Sequence, residues 1–177
     1  MSKATNPTKV ITGKQTVMSY LNVNEPKVPL GGGTPKYSVS LVIPKSDTVT
    51  VEKIRAAIKA AYDEGQGKLR GTGKSVPALE DLKLPLRDGD IDREDDDAYQ
   101  DAFFVNATSL EKPGVVDRKR IPITDPLGVY SGCYVRASIN FYPFNVNGNK
   151  GVAAGLSNVQ FWCDGEPLTS RVRAEDE

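Results

Sequence analysis

The chain has 177 residues, 23 Lys and Arg against 23 Asp and Glu, two cysteines and no histidine. That length holds one domain with a real core, and no apolar run approaches the ~20 residues of a membrane span. Without histidine there is no usual general base, no commonest metal ligand and no Ser-His or Cys-His nucleophile pair. The composition therefore argues against an enzyme, and no cofactor is expected.

The neutral total conceals segregated charge. From Met1 to Lys45 six lysines face one acid, Glu25, whereas from Val76 to Asp101 ten acids face three basic residues. Glu175, Asp176 and Glu177 close the chain. Outside these two acidic segments the protein is basic, so local fields keep a polyanionic partner open. Cys133 and Cys163 fall in predicted strands and read as buried, reduced thiols, which points to a cytoplasmic setting. The N-terminal MSKATNPTKV lacks the apolar stretch of a secretory signal.

In chain order, KVITGKQTVMSYL (Lys9–Leu21) is rich in Thr and Val and predicts a long first strand, with Gly13 as a bulge. A Pro- and Gly-rich loop follows, and YSVSLVI (Tyr37–Ile43) then alternates cleanly. TVEKIRAAIKAAYDE (Thr50–Glu64) predicts a helix capped by Thr50 or Thr48, with Ile54, Ala57, Ile58 and Ala61 as its apolar stripe and Gly65 as its stop. Residues 65–101 read as a long charged loop anchored by Leu79, Leu82, Leu84 and Leu86. AFFVNATS (Ala102–Ser109), Tyr130–Phe144 and LSNVQFWC (Leu156–Cys163) predict three further strands. NVNGNKG between the last two is a tight turn.

These elements predict a mainly β (α+β) fold. The expected form is a five-stranded barrel with one helix inserted after the second strand, long loops and an acidic C-terminal tail. A single domain is expected over 1–168, with a polar tail over 169–177.

Two motifs fail on inspection. KLRGTGKS ends like a phosphate loop, but the glycine that the motif needs at 68 is Lys68, and the segment follows a helix instead of a strand. DGDIDREDDD spaces Asp88, Asp90 and Asp92 like a calcium loop, but its glycine is misplaced and Tyr99 stands where Glu is required. A flexible basic loop and a solvated acidic loop are the default readings.

The strand faces carry more. Opposite the apolar set Val135, Ala137, Ile139 and Phe141 stand Tyr134, Arg136, Ser138, Asn140 and Tyr142. Comparable non-core positions include Ser38, Ser40, Phe104 and Asn106, with Trp162 a candidate for the same set. Rings interleaved with Arg and Asn suit unpaired nucleic acid, in which bases stack for ~1–3 kcal/mol each and cations follow the phosphates. No helix here has the face that reads a duplex groove. Periodicity alone leaves this platform evenly balanced against rings that fill gaps at barrel ends.

A resemblance tips the balance. YSVSLVIPKSDT (Tyr37–Thr48), LRDGD (Leu86–Asp90), FFVNATSLEKPGVVD (Phe103–Asp117), YSGCYVRASINFYPFNVNGNKGVAAGLSNVQ (Tyr130–Gln160) and DGEPL (Asp164–Leu168) together resemble a family of phage single-stranded-DNA-binding proteins. The family was long known only as a phage domain of unknown function, and is itself similar to the OB-fold single-strand binders of short-tailed phages. The resemblance implies an OB barrel that binds single-stranded DNA without sequence preference, in phage replication or recombination, in the cytoplasm of the infected bacterial host. Tyr134, Tyr142 and Phe104 are then expected to stack on bases. Arg136, Lys150 and the cluster Arg118, Lys119 and Arg120 are expected to neutralise phosphates. Asn106 and Asn140 are expected to hydrogen-bond sugar or base edges, and Ser38 and Ser40 to let the strand lie close. In the wider class an acidic tail recruits replication proteins, a role that would fall to Glu175, Asp176 and Glu177. This tail lacks the terminal aromatic residue common in that class. Self-association is left open. Two rival readings are a phage structural or scaffold protein whose mixed face is a subunit interface, and a metal-dependent nuclease or phosphotransferase built on Asp88–Asp97.

Overall fold

The computed structural model describes residues 6–28 and 32–168. Eight strands form one sheet: β1 Lys9–Ile11, β2 Thr16–Lys27, β3 Lys36–Pro44, β4 Leu86–Asp88, β5 Ala102–Ser109, β6 Gly114–Val116, β7 Tyr134–Val146 and β8 Asn149–Cys163. Pairing runs β7-β2-β3-β5-β8 and returns from β8 to β7, which closes a five-stranded barrel. All its pairs are antiparallel except β5 with β8. The short β1, β4 and β6 lie beside β7, β5 and β8. Closure removes the free edges that an open sheet of this size would expose.

The alternating apolar residues converge inside the barrel as the sequence predicts. Val39, Leu41 and Ile43 of β3 meet Val105 and Ala107 of β5, and Val135, Ala137, Ile139 and Phe141 of β7. On β8 the alternation shifts phase. Leu156 and Val159 are both buried because Ser157 is an extra residue against β7, so the bulge turns the strand by one position. The predicted first strand is also interrupted. It splits around Gly13, where a Cβ would come within 2.6 Å of Asp47 Oδ2. That close approach brings the Gly13 N–H to Thr50 Oγ1 at 3.0 Å.

Helix α1, Thr48–Glu64, buries Val51, Ile54, Ala57, Ile58 and Ala61 in the same core as Phe141 and Val152. It is inserted after the second barrel strand, as expected. Its cap is Asp47, whose carboxylate accepts from Thr50 N at 3.2 Å, in place of Thr48 or Thr50. The helix ends at Gly65, where any side chain would strike Pro143 of β7. Residues 65–101 are more ordered than a loop. They contain α2 (Gln66–Arg70), the 3-10 turn Leu79–Asp81, β4, α3 (Gly89–Asp92) and the 3-10 turn Asp97–Tyr99. Among the described residues no helix is long and apolar enough to cross a membrane.

Candidate nucleic-acid interface

Barrel closure decides which outward residues share a surface. In the circuit β7-β2-β3-β5-β8, strand β3 neighbours neither β7 nor β8. The outward row of β3 is therefore separated from that of β7 by β2, whereas β5 lies directly beside β8. Ser38, Ser40, Phe104 and Asn106 belong to the β3 and β5 rows, and Tyr134, Arg136, Asn140 and Tyr142 to the β7 row. The two sets meet only across the small residues of β8, where Tyr142 lies against Gly155, the partner of Thr108.

On the β3–β5 side, half of the outward row is covered. Tyr99 is fully buried against Phe104, with ring centroids 5.0 Å apart and edge-on at 87°. Its hydroxyl donates to Ser40 Oγ at 2.8 Å. Arg87 and Arg93 lie 5.4 Å above the Phe104 ring, which has no accessible surface. The structure thus corrects two expectations. Phe104 has no free face for a base, and Ser40 is a buried partner of Tyr99, because segment 86–100 folds down on this part of the sheet. The fully buried tyrosine and phenylalanine stabilise that packing by more than their area alone, by ~0.5–1.5 kcal/mol for an edge-on pair.

The other half of the row is open. A cleft of about 330 Å³ runs over β2, β3 and β5, floored by Ser38, Asn106 and Thr108. Tyr20, Asn22, Lys27, Lys36 and Arg93 rim it, and among the described residues no carboxylate lines it. Tyr20 is 60% exposed, and its φ is +47°, a region that aromatic residues rarely occupy. The cause is an extra residue in β2, since Ser19 pairs with Ser40 but Asn22, not Tyr20 or Leu21, pairs with Ser38. The bulge turns the ring outward, and Tyr99 supports it from below at 6.4 Å between centroids. Sequence reading missed Tyr20, because alternation from buried Met18 sends residue 20 into the core. Its only signal was a lone aromatic in a strand rich in Thr, Val and Asn.

Beyond Tyr20 the surface changes sign. A broader cleft of about 1230 Å³ is lined by Asp92, Glu94, Asp95, Asp96, Asp97 and Glu166. Several acids of this segment serve the fold. Lys45 bridges Asp88 at 3.0 Å and Asp90 at 2.8 Å, and Arg87 bridges Asp92 at 3.2 Å. Asp96 accepts from Ala98 N at 3.1 Å. The Lys45 ammonium, together with the Asp101 N–H, holds the Asp90 carboxyl below its ordinary 3.8. Asp90 and then Asp88 raise Lys45 in turn. Among the described residues no group of three His, Cys, Asp or Glu side chains is placed to hold a metal ion.

On the β7–β8 side, Tyr142 is 41% exposed and Asn140 is engaged, accepting from Thr8 Oγ1 at 2.9 Å. Tyr134 is half-buried near Val17 and Val42. Lys150 reaches the α2 segment, with Nζ 3.5 Å from the Arg70 carbonyl. Arg136 donates from Nε to the Thr12 carbonyl at 3.2 Å and lies 5.9 Å from the Trp162 ring. Arg118 stacks on the same ring at 4.2 Å, and Lys119 and Arg120 stand exposed beside it on the 117–121 turn. Cys133 is buried, which raises its thiol pKa, and Cys163 is exposed instead of buried; both are free. Glu175, Asp176 and Glu177 lie outside the described residues.

Comparison with known proteins gives this geometry a setting. Residues 8–177 match the family described as the ssDNA-binding protein of Enterobacter phage Enc34. Putative protein p50 of Acyrthosiphon pisum secondary endosymbiont phage 1 is 35% identical over 159 residues, covering 86% of this chain and 82% of that one. The single-stranded DNA-binding protein from bacteriophage Enc34, solved in complex with ssDNA, has a TM-score of 0.72 and 26% identity, over 91% of this chain and 88% of that one. For gp2.5, a single-stranded DNA binding protein encoded by bacteriophage T7, the TM-score is 0.62 over 95% and 91% of the two chains; at 16% identity this likeness speaks for the fold. With a family match over residues 8–177 and a relative 35% identical across 86% of this sequence, the chain belongs to the Enc34 phage ssDNA-binding protein family.

Proposed function

We propose that this protein binds single-stranded DNA without sequence preference, and that the strand lies in the cleft over β2, β3 and β5. The observation that carries this reading is the cleft itself, with an exposed ring at Tyr20, cations at Lys27, Lys36 and Arg93, and small polar groups on the floor. The face of the second and third strands is where OB barrels take oligonucleotides. A base stacks on Tyr20, phosphates run along the lysines, and Asn22, Asn106 and Thr108 meet sugar or base edges. None of these groups reads one base against another, so sequence tolerance follows. The carboxylates beyond Tyr20 repel phosphate and limit the track on that side.

The role is non-enzymatic: the protein protects and organises single-stranded DNA during phage replication and recombination, in the cytoplasm of the infected host. The acidic end, Glu175 to Glu177, serves as a contact for replication proteins. Fluorescence anisotropy with oligo-dT and a matched duplex at two salt concentrations tests the reading. We expect preference for the single strand and an affinity that falls with log salt by ~0.7 per phosphate contacted. Equal affinity for both, or none for either, overturns it.

A further inference from the structure

The cleft leaves one assembly of cations unexplained. Outside the cleft, on β8, Trp162 lies under Arg118 at 4.2 Å and is approached by Arg136 at 5.9 Å. Trp162 is itself a bulge residue, because Tyr134 pairs with Cys163 and Val135 with Phe161, which leaves residue 162 without a partner across the ladder. Bulges of this kind re-aim a side chain out of the strand's alternation.

The turn carrying Arg118 is firmly built. Asp117 accepts from Lys119 N at 2.8 Å and Ile121 N at 3.0 Å, and Gln160 on β8 donates to the Asp117 and Arg118 carbonyls. Arg120 sits at φ +68°. The turn therefore displays Arg118, Lys119 and Arg120 in succession beside Arg136. Among the described residues none of these four cations has an ion-pair partner, although the chain holds as many acids as bases. A guanidinium over an indole face still has N–H groups to offer, and these match a phosphate bidentately. A packing role for Arg118 alone explains neither the neighbouring Lys119 and Arg120 nor the absence of an ion pair to them among the described residues.

We infer that the Trp162 face is a second nucleic-acid contact, which takes the phosphodiester backbone of the same single strand after it leaves the β2–β3–β5 cleft. This rests on the proposed function. By way of β2, the outward rows of β3 and β7 are two strand spacings apart, ~10 Å at the backbone, so a bound strand reaches both by wrapping the barrel. A short oligonucleotide fills the cleft alone, and a longer one covers both surfaces.

Trp162 is the only tryptophan in the chain, so its fluorescence reports on this face and no other. The test titrates the full chain with labelled oligo-dT of about 8 and about 25 nucleotides, one within and one beyond the ~4–16 nucleotides typical of one OB fold. Anisotropy and Trp162 emission are read together. We expect both lengths to bind and only the longer to quench Trp162. Arg118→Ala with Arg136→Ala should weaken the longer oligonucleotide roughly tenfold and lower its salt slope by ~1.4, for two phosphates lost, with the shorter unchanged. Lys119→Ala with Arg120→Ala, at exposed positions, repeats the test where folding is not at stake. Equal losses for both lengths, or no quenching and no loss for the longer, overturn the inference. Quenching by a matched duplex but not by oligo-dT overturns the assignment to the bound single strand. Failure of wild type to bind either length refutes the proposed function instead.

Discussion

Replacing Tyr20 with alanine isolates the stacking contribution. The ring is 60% exposed and touches the fold chiefly through Tyr99, 6.4 Å away between centroids, so its removal should cost under ~0.5 kcal/mol of stability, as for most surface substitutions. Alanine at φ +47° is no more strained than tyrosine, and the bulge should persist. Losing one base–ring stack removes ~1–3 kcal/mol, which is roughly 5- to 150-fold in affinity for oligo-dT at ~1.4 kcal/mol per decade. Tyrosine carries no charge, so the slope of log affinity against log salt should stay as in wild type while the whole line drops. Tyr20→Phe should bind nearly as wild type, because it keeps the π-face. Anisotropy at several salt concentrations, with thermal unfolding run in parallel, measures both quantities. An unchanged affinity at an unchanged unfolding midpoint refutes the placement of the strand, and a changed slope refutes the assignment to stacking.

Other outcomes follow from the same geometry. Lys27→Ala with Lys36→Ala should weaken oligo-dT binding and lower the salt slope by ~1.4, for two phosphates, read in the same titrations. Neutralising Glu94, Asp95 and Asp97, which make no ion pair among the described residues, should strengthen oligo-dT binding at low salt and do so less at high salt, as screening requires. Tyr99→Phe strands the buried Ser40 hydroxyl and should lower stability by ~1–3 kcal/mol, measured by urea unfolding. Gly89→Ala drives a Cβ to 2.2 Å from the Tyr99 carbonyl oxygen and should loosen segment 86–100, detected as faster amide exchange there. The Asp90 carboxyl, held below 3.8 by Lys45 and the Asp101 N–H, contributes stability that is present above that value and is lost as pH falls through its lower folded value. Unfolding midpoints of Asp90→Asn should accordingly converge with wild type at the acid end, and a gap that persists there contradicts the linkage.

Much of the fold was legible in the residues. Clean alternation in YSVSLVI and in Val135–Phe141 placed the core, the stripe Ile54–Ala61 placed the helix, and Asn147–Gly148 marked the hairpin, where both residues have positive φ. Less legible were positions where one inserted residue reversed the alternation. Tyr20 in β2, Ser157 and Trp162 in β8 all sit at such bulges, and a period of two cannot announce its own interruption. Phe104 failed differently. Its outward direction follows from the alternation, but segment 86–100 folds back and buries it under Tyr99, a contact between distant parts of the chain.

By itself, then, the sequence determined which residues point into the barrel and which point out wherever a strand runs without a bulge, because side-chain alternation is local and each apolar row must leave water. Only the tertiary structure decided which outward residues are neighbours. Closure of β7-β2-β3-β5-β8 set Ser38 two strands from Arg136 by way of β2, and brought the Asn106–Thr108 row of β5 beside β8, where Tyr142 lies against Gly155. A strand's pattern says nothing of the sheet it joins, and on a closed barrel the order of pairing and the curvature decide which outward rows meet.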